Sequence, residues 1–223
     1  MVLERVAPPW TRRRELLRRL AFRKPADPVL RRWHRWAFAQ DAVYFVQIGA
    51  NDGVRGDPLW MHINHQPGWR GLMVEPVPAT FAQLREQRAD PKFQLVQAAI
   101  TDRDGTVAIT TFGDDDQDRS LLATIEHRVA DRYDGLARDT IEVPAMTFAT
   151  LTRDVADIDV LHVDAEGHDA TILAQVDFTA WTMRAVLFEH AHLLPDERAS
   201  TMARLRANGY RMWSTHNDTL CLR

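Results

Sequence analysis

Short apolar runs alternate with amphipathic stretches along most of the chain. The first run, Val43–Ile48, consists almost entirely of strand-forming residues and ends at Gly49. Runs of this kind are typical of strands that are buried on both faces of a parallel sheet. Similar runs follow at Gly71–Glu75, Phe93–Ile100, Val160–Asp164 and Ala185–Glu189.

Stretches with helical spacing separate most of these runs. They are Pro58–His65, Pro78–Arg88, Asp169–Gln175 and Pro195–Asn208. Strands that alternate with helices predict an α/β protein with a parallel sheet and right-handed crossovers. Residues 107–143 interrupt this rhythm with two further strands and a helix near Leu121–Tyr133, and such excursions often carry substrate contacts. The last two runs, Tyr210–Ser214 and Thr219–Leu222, predict a hairpin.

The first 40 residues differ from the rest and predict two helices. Leucines recur at helical spacing among arginines until Pro25, which ends the first helix. Asp27 followed by Pro28 is typical of an N-cap and a first helical residue, so a second helix begins there. We therefore divide the chain into a basic N-terminal helical extension, residues 1–40, and a main domain, residues 41–223.

The charge of the chain is distributed unevenly. The net charge is −3 overall, but it is +8 over residues 1–40 and −11 over residues 41–223. A basic extension can bind nucleic acid, anionic lipid or an acidic partner. We favour packing of the extension against the acidic remainder of its own chain or of a second copy, as in a homodimer, and we expect no nucleic-acid partner.

The composition excludes several other classes of protein. Of the 223 residues, 45% are hydrophobic and 26% are charged, as in an ordinary globular protein. A single cysteine, Cys221, excludes an internal disulfide framework and a cysteine-based zinc cluster. The apolar runs are shorter than the roughly 20 residues of a transmembrane helix, and the N-terminus lacks the apolar core of a secretory signal. We therefore expect no transmembrane segment and a cytoplasmic location.

A glycine-rich turn follows the first predicted strand. It contains Gly49, Asn51 and Gly53, and Glu75 ends the second strand 26 residues after Gly49. Such a turn lets the backbone approach a ligand closely, and an acid in the second position accepts hydrogen bonds from ribose hydroxyls. Together they predict a nucleoside site; the alternative is that Glu75 is an acid at a helix N-terminus that faces solvent. Asn51 replaces the second glycine of a dinucleotide fingerprint, which favours a ligand without phosphates, such as S-adenosylmethionine.

Four segments of this sequence resemble the FkbM family of S-adenosylmethionine-dependent methyltransferases. They are Val46–Gly53, Val74–Pro76, Ala98–Ile100 with Asp102 and Gly105 after it, and Asp164–Asp169. The segments occur in the order and approximate spacing of the family, and Asp-Ala-Glu-Gly-His-Asp after a buried strand is the most specific of them. The resemblance covers about residues 42–192 and leaves the first 40 residues unaccounted for.

The resemblance implies a class I, Rossmann-like methyltransferase domain over residues 41–223. Its sheet has seven mostly parallel strands, the last one antiparallel, with helices on both faces. The cofactor is S-adenosylmethionine and the product S-adenosylhomocysteine. The residues that the resemblance implies around the cofactor are Gly49, Asn51 and Gly53 at the methionine and ribose, Glu75 at the ribose, and Ala99 and Asp102 beside the adenine.

Methyl transfer to a hydroxyl also needs a group that removes its proton. Such groups lie beyond the carboxyl ends of the strands, where Asp164, Glu166 and His168 follow one predicted strand and Glu189 and His190 follow the next. We predict that Asp164, His168 and His190 are catalytic, with a histidine as general base and a carboxylate that orients it. A second interpretation assigns Asp164, Glu189 and His190 to a divalent ion such as Mg²⁺. A third gives all of these residues structural roles, with Glu166 capping the following helix.

The resemblance implies an O-methyltransferase that acts on a hydroxyl of a sugar or secondary metabolite. The partner is then a small-molecule or glycan acceptor, and Trp60 is a candidate wall on which that acceptor stacks. One alternative is methylation of RNA or protein, which the basic extension favours and the acidic remainder does not. Another is a non-catalytic nucleoside-binding module that keeps the same fold.

Overall fold

Two β-sheets organise the chain, one of seven strands and one of four. The computed structural model describes residues 27–112, 123–131 and 138–223. The first predicted helix, before Pro25, lies outside the described residues.

The strands have the following bounds. They are β1 Val43–Ile48, β2 Trp69–Val74, β3 Phe93–Val96, β4 Ala99–Ile100, β5 Gly105–Phe112, β6 Ala123–Thr124, β7 Arg138–Met146, β8 Val160–Val163, β9 Ala185–Glu189, β10 Arg211–Ser214 and β11 Asp218–Leu222.

The helices that the structure describes lie between these strands, apart from the first. They are α1 Pro28–Phe38, α2 Trp60–His65, α3 Pro78–Gln87, α4 His127–Ala130, α5 Phe148–Leu151, α6 Asp169–Gln175 and α7 Pro195–Ala207. Over the described ranges, none of them has both the length and the apolar character needed to cross a membrane.

The large sheet has the strand order β3-β2-β1-β8-β9-β11-β10. All neighbours pair in parallel except β11, which is antiparallel to both β9 and β10. The predicted seven-stranded sheet with one antiparallel strand is therefore confirmed. Because the chain leads outward from β1 on one side and from β8 on the other, a crevice opens at the carboxyl ends of these two strands.

Apolar side chains cover both faces of the large sheet. In β1, Val46 and Ile48 belong to one core, which α6 and α7 cover, while Val43 and Phe45 belong to the other, which α1, α2 and α3 cover. Successive residues of a strand point to opposite faces, so an almost continuous apolar run is what a central strand of a three-layer protein requires.

Helix α1 packs against the second of these cores. It begins as predicted, with the Asp27 carboxylate accepting hydrogen bonds from the backbone N–H groups of Val29 and Leu30 at 2.6 and 3.3 Å. Trp33 is only 1% exposed, and its indole N–H donates to the carbonyl of Pro58 at 2.9 Å. The helix is therefore fixed beside the crevice; the division of the chain at residue 40 stays a prediction.

The small sheet, of order β4-β7-β5-β6, was not predicted. The apolar run Phe93–Ile100 forms two strands, because the chain leaves the large sheet after Val96 and pairs Ala99 with Ala145 of β7. The helix expected near Leu121–Tyr133 is reduced, within the described residues, to β6 and the four-residue helix α4. Both differences from the prediction arise because strands pair with segments that are distant in the sequence, and the local periodicity of the sequence carries no information on such pairing.

We expect Trp33→Ala to destabilise the protein by about 3–5 kcal/mol, because it removes a buried indole and leaves a cavity between α1 and the sheet. Denaturant unfolding followed by circular dichroism measures this loss. The matched control is Arg35→Ala on the exposed face of the same helix, which should change stability by less than about 0.5 kcal/mol. Equal stabilities of the two variants would show that α1 is not docked as described.

Candidate active site

A cavity of about 240 Å³, here the first cavity, opens at the carboxyl ends of β1 and β2. Gly49, Asn51, Glu75 and Ala99 line it, as the sequence predicted, and Asp164 lines it from the end of β8. Four of the six predicted cofactor-binding residues therefore come together around one space.

The turn after β1 depends on its glycine. Gly49 has a φ of +78°, and a Cβ there would lie 1.8 Å from the backbone oxygen of Asp164. Asn51 follows with a φ of +49°, a conformation that asparagine tolerates better than most residues. Gly53 does not line the cavity: its φ is +74°, and a Cβ there would meet Leu84 of α3 at 2.8 Å. Its requirement for glycine thus comes from packing against a helix.

Glu75 is held rigidly at the edge of the first cavity. It is 5% exposed, and its two carboxylate oxygens accept hydrogen bonds from the backbone N–H groups of Asn51 at 3.0 Å and Val77 at 2.9 Å. The interpretation of Glu75 as a solvent-facing acid is therefore wrong. Burial raises its pKa to about 7 despite these hydrogen bonds.

The remaining walls suit a nucleoside with a polar tail. Ile100, Ile109 and Ile125 form an apolar side contributed mainly by the small sheet. On the opposite side, the amide N–H of Gln47 donates to Asp57 at 3.0 Å, and its buried Oε1 has no hydrogen-bond partner among the described residues. Flat apolar walls accept an adenine ring, while this unpaired carbonyl accepts an N–H or O–H group.

Asp102 lies outside this cavity. It belongs to an exposed bend between β4 and β5, and it is absent from the described lining. The resemblance implied that Asp102 lies beside the adenine, but the structure places Asp102 away from the first cavity. Ala99, by contrast, lies in the wall of that cavity.

A second cavity, of about 400 Å³, adjoins the first. It is bounded by α1, by the loop before α2 and by the ends of β8, β9 and β11. Trp60, the candidate stacking wall, lines it. Asp57, His162 and Asp164 line both cavities, so these three side chains lie where the two spaces meet.

Asp164 and His162 occupy alternate positions at the end of β8 and therefore point to the same side of the sheet. The Asp164 carboxylate is accessible from the cavities and has no hydrogen bond to any described residue. Loss of hydration within the protein, together with the negative charges of Asp218 and Asp57, raises the pKa of Asp164 to about 6. His162 is 6% exposed, its Nδ1 has no partner among the described residues, and burial lowers its pKa to about 4. A neutral imidazole and an ionisable carboxylate thus share this position.

The other two predicted catalytic residues lie elsewhere. The Nδ1 atom of His168 is 2.9 Å from a carboxylate oxygen of Glu126, and the residue lines neither cavity. His190 turns toward β11, where its Nδ1 is 2.9 Å from the hydroxyl of Thr219. Neither histidine therefore lines the cavities beside Asp164, because a residue beyond a strand end is directed by its own hydrogen bonds.

The predicted metal ligands are not assembled either. Glu189 lies with Glu166 and His192, whose ligand atoms are all within 4.8 Å of one another, and not with Asp164 and His190. The Nε2 atom of His192 is 3.3 Å from Glu166 and 3.8 Å from Glu189. Nothing in this arrangement supports the predicted magnesium set.

Several carboxylates crowd around the end of β9. Burial, with the charges of Asp164, Glu166 and Asp169, raises the pKa of Glu189 to about 9. Burial and the neighbouring acids likewise raise the pKa of Glu166 and that of Asp169 to about 8. Because each ionised group raises the pKa of its neighbours, protonation within this cluster relieves the mutual repulsion.

This crowding predicts a stability that falls as pH rises. The pKa of Glu189 is about 9 in the folded protein against an ordinary 4.5, so its contribution is present below the ordinary pKa and is lost as pH rises toward 9. We expect the melting temperature to decrease between about pH 6.5 and 9, and Glu189→Gln to flatten that slope. Glu142→Gln on an exposed strand position should leave the slope unchanged. Identical slopes in the three proteins would contradict the crowding.

The sheet order, the glycine turn after β1 and the buried acid at the end of β2 define a class I methyltransferase fold with a nucleoside site at its switch point. The sequence profile described as the methyltransferase FkbM domain matches residues 47–212. The chain belongs to the FkbM methyltransferase family and is an S-adenosylmethionine-dependent methyltransferase. A search of curated proteins gave no match.

Solved methyltransferase structures resemble the chain at low identity. A methyltransferase from Geobacter sulfurreducens has 13% identity and a TM-score of 0.47, over 99% of this chain and 93% of that one. Precorrin-6y C5,15-methyltransferase from Geobacter metallireducens has 14% identity and a TM-score of 0.45, over 82% and 79%. Fibrillarin from Aeropyrum pernix, with natively bound S-adenosylmethionine, has 11% identity and a TM-score of 0.45, over 93% and 74%. At these values the likeness carries no information on the acceptor.

Sequence reasoning missed Gln47, Asp57 and His162. Two of them share a signal: Gln47 and His162 are single polar residues inside otherwise apolar strands, in Val-Tyr-Phe-Val-Gln-Ile and Val-Leu-His-Val. A polar side chain in a fully buried strand needs a partner or a ligand. Asp57 had no such signal, because it lies in an irregular loop.

Proposed function

We propose that this methyltransferase transfers a methyl group to a hydroxyl of a small-molecule or glycan acceptor. The first cavity would hold S-adenosylmethionine and the second the acceptor. The observation that carries the proposal is that Asp57, His162 and Asp164 line both cavities. Donor and acceptor in neighbouring spaces would meet at these side chains, as an in-line displacement requires.

The first cavity fits S-adenosylmethionine in chemistry. Glu75 would accept hydrogen bonds from the ribose hydroxyls, since each of its oxygens accepts one backbone hydrogen bond from the described residues and retains a lone pair. The orphaned Oε1 of Gln47 would accept from a donor on the polar tail. Ala99 and Ile100 would contact the adenine.

When bound, S-adenosylmethionine supplies an electrophilic methyl group: its S–CH₃ bond breaks as the new O–CH₃ bond forms, and the electron pair of the broken bond stays on sulfur. The Asp164 carboxylate takes the proton that the acceptor hydroxyl loses. Its raised pKa of about 6 makes it a stronger base than an ordinary aspartate while it stays ionised at neutral pH. The neutral imidazole of His162 hydrogen-bonds the acceptor oxygen and orients it.

The two alternative functions have less support. A polynucleotide would bring phosphates to a cavity whose described lining contains aspartates and neither lysine nor arginine. A non-catalytic module would have no need of an unpaired carboxylate between two cavities. S-adenosylmethionine binding without turnover on any hydroxylated acceptor would favour the module.

Glu75→Gln tests the cofactor site. The substitution keeps the shape of the side chain and one acceptor oxygen, but it removes the charge and one acceptor. We expect the affinity for S-adenosylmethionine, measured by calorimetry, to fall by about 1.5–3 kcal/mol, or roughly 10- to 100-fold. Glu86→Gln on the exposed face of α3 is the matched control. An unchanged dissociation constant for Glu75→Gln would show that the ribose is held elsewhere.

A panel of four variants tests proton removal, once screening of hydroxylated glycans and secondary metabolites by S-adenosylhomocysteine release has found an acceptor. We expect Asp164→Asn to lower turnover about 10²- to 10⁴-fold and to abolish a rise in rate near pH 6, with cofactor binding retained. His162→Gln should also lower turnover. His168→Gln and His190→Gln should stay close to the unsubstituted protein; if they lose activity and Asp164→Asn does not, the assignment is wrong.

A further inference from the structure

Four aspartates from separate parts of the chain line the second cavity. Asp27 caps α1, Asp57 lies in the loop before α2, Asp164 ends β8 and Asp218 begins β11. Among its described lining residues there is no lysine or arginine. The electrostatic potential in the second cavity, where the acceptor would bind, is therefore strongly negative.

Three of these carboxylates form no ion pair within the described part of the chain. Asp27 accepts the hydrogen bonds of the helix cap, and Asp218 accepts one long hydrogen bond of 3.4 Å from a hydroxyl. The Asp164 carboxylate has neither kind of partner among the described residues. Asp57 has Arg88 at 3.9 Å. Within the described residues, the negative charge of the cavity is thus mostly without an ion-pair partner.

The histidines of the cavity do not supply the missing positive charge. Burial lowers the pKa of His34 and lowers that of His162 to about 4, so both are neutral near pH 7. The Nδ1 atom of His34 is also engaged at 3.0 Å with Nε2 of His62.

Two deeply buried atoms at the same place have no hydrogen-bond partner among the described residues. They are Nδ1 of His162, which is 6% exposed, and Oδ2 of Asp57, whose side chain is 2% exposed. Buried polar atoms are normally satisfied, so atoms of this kind in a cavity wall indicate a polar ligand. The indole of Trp60, which is 37% exposed, lines the same cavity, and indole faces attract organic cations.

A small metal ion does not fit this arrangement. Over the described ranges, the only set of three carboxylate or histidine ligand atoms within 4.8 Å of one another is that of Glu166, Glu189 and His192. The carboxylates of the second cavity are therefore spread too widely to ligate one metal ion, and they suit a larger organic cation.

We propose that the acceptor carries an ammonium group close to the hydroxyl that is methylated, as in an amino sugar or an amino-polyol. The ammonium group would lie among Asp27, Asp164 and Asp218, and the hydrocarbon frame of the acceptor would lie against the indole of Trp60. This inference rests on the proposed function and adds the charge of the acceptor to it. Phosphorylated acceptors are disfavoured by the same carboxylates.

The test uses a matched pair of probes that needs no knowledge of the natural acceptor. Cyclohexylammonium and cyclohexanol have nearly the same shape and differ in charge. Their binding to the protein in excess S-adenosylhomocysteine is measured by ligand-observed NMR at about pH 8, where an alkylamine is protonated. We expect the ammonium probe to bind about tenfold more tightly than the alcohol.

Two variants connect this selectivity to the cavity. Asp27→Asn keeps the helix cap, because asparagine caps helices as well as aspartate does, and removes the charge. Asp218→Asn removes the charge at an exposed strand end. Each should weaken cyclohexylammonium binding about three- to tenfold and leave cyclohexanol binding unchanged, whereas Asp196→Asn on the exposed first turn of α7 should change neither.

The outcomes separate this inference from the proposed function. Equal binding of the two probes, or ammonium binding that survives both cavity variants, would overturn the inference. Calorimetry of S-adenosylmethionine with the same proteins reports on the cofactor site alone. If the unsubstituted protein failed to bind S-adenosylmethionine while its ammonium selectivity stayed intact, the proposed function would be overturned and the cationic site would stand.

Discussion

The close approach of two backbone segments at Gly49 and Asp164 is the constraint on which the rest of the site depends. The backbone N–H of Asp164 donates to the carbonyl of Ile48 at 2.9 Å, and a side chain at Gly49 would collide with the Asp164 carbonyl. Central strands β1 and β8 therefore end at the same level and in contact. The glycine turn that lines the first cavity and the carboxylate that lines both cavities are placed by one junction, so neither can shift without the other.

The residues that were easiest to predict from the sequence are those whose position is set by where a strand or a turn must lie. The bounds of β1, α6 and β9 agree with the predicted runs, because continuous apolar segments leave few alternative pairings. Gly49 and Glu75 follow from the same logic, since strand ends fix where a turn and an acid must lie. Gly53 fits the same turn pattern but packs against α3, which shows that one pattern serves two physical purposes.

Side chains beyond strand ends were harder to predict, because tertiary hydrogen bonds direct them. His168 follows the strand that Asp164 ends and His190 follows the next strand, β9, yet one is held by Glu126 and the other by Thr219. His162 was overlooked because a lone polar residue inside an apolar strand resembles a tolerated exception. The small sheet escaped prediction for a related reason, since it pairs Ala99 with Ala145 across a long stretch of intervening chain.

The walls of the two cavities are synthesised at different times. Among the described residues, the lining of the first cavity runs from Gln47 to Ile172, whereas that of the second runs from Asp27 to Leu220 and includes Asp218 of the β10–β11 hairpin. A ribosome-bound chain that has not yet reached this hairpin thus already contains the described lining of the first cavity but lacks one wall of the second. Under the proposed function, acceptor binding would therefore wait for β11, and a product terminated before that strand would lack part of the second cavity.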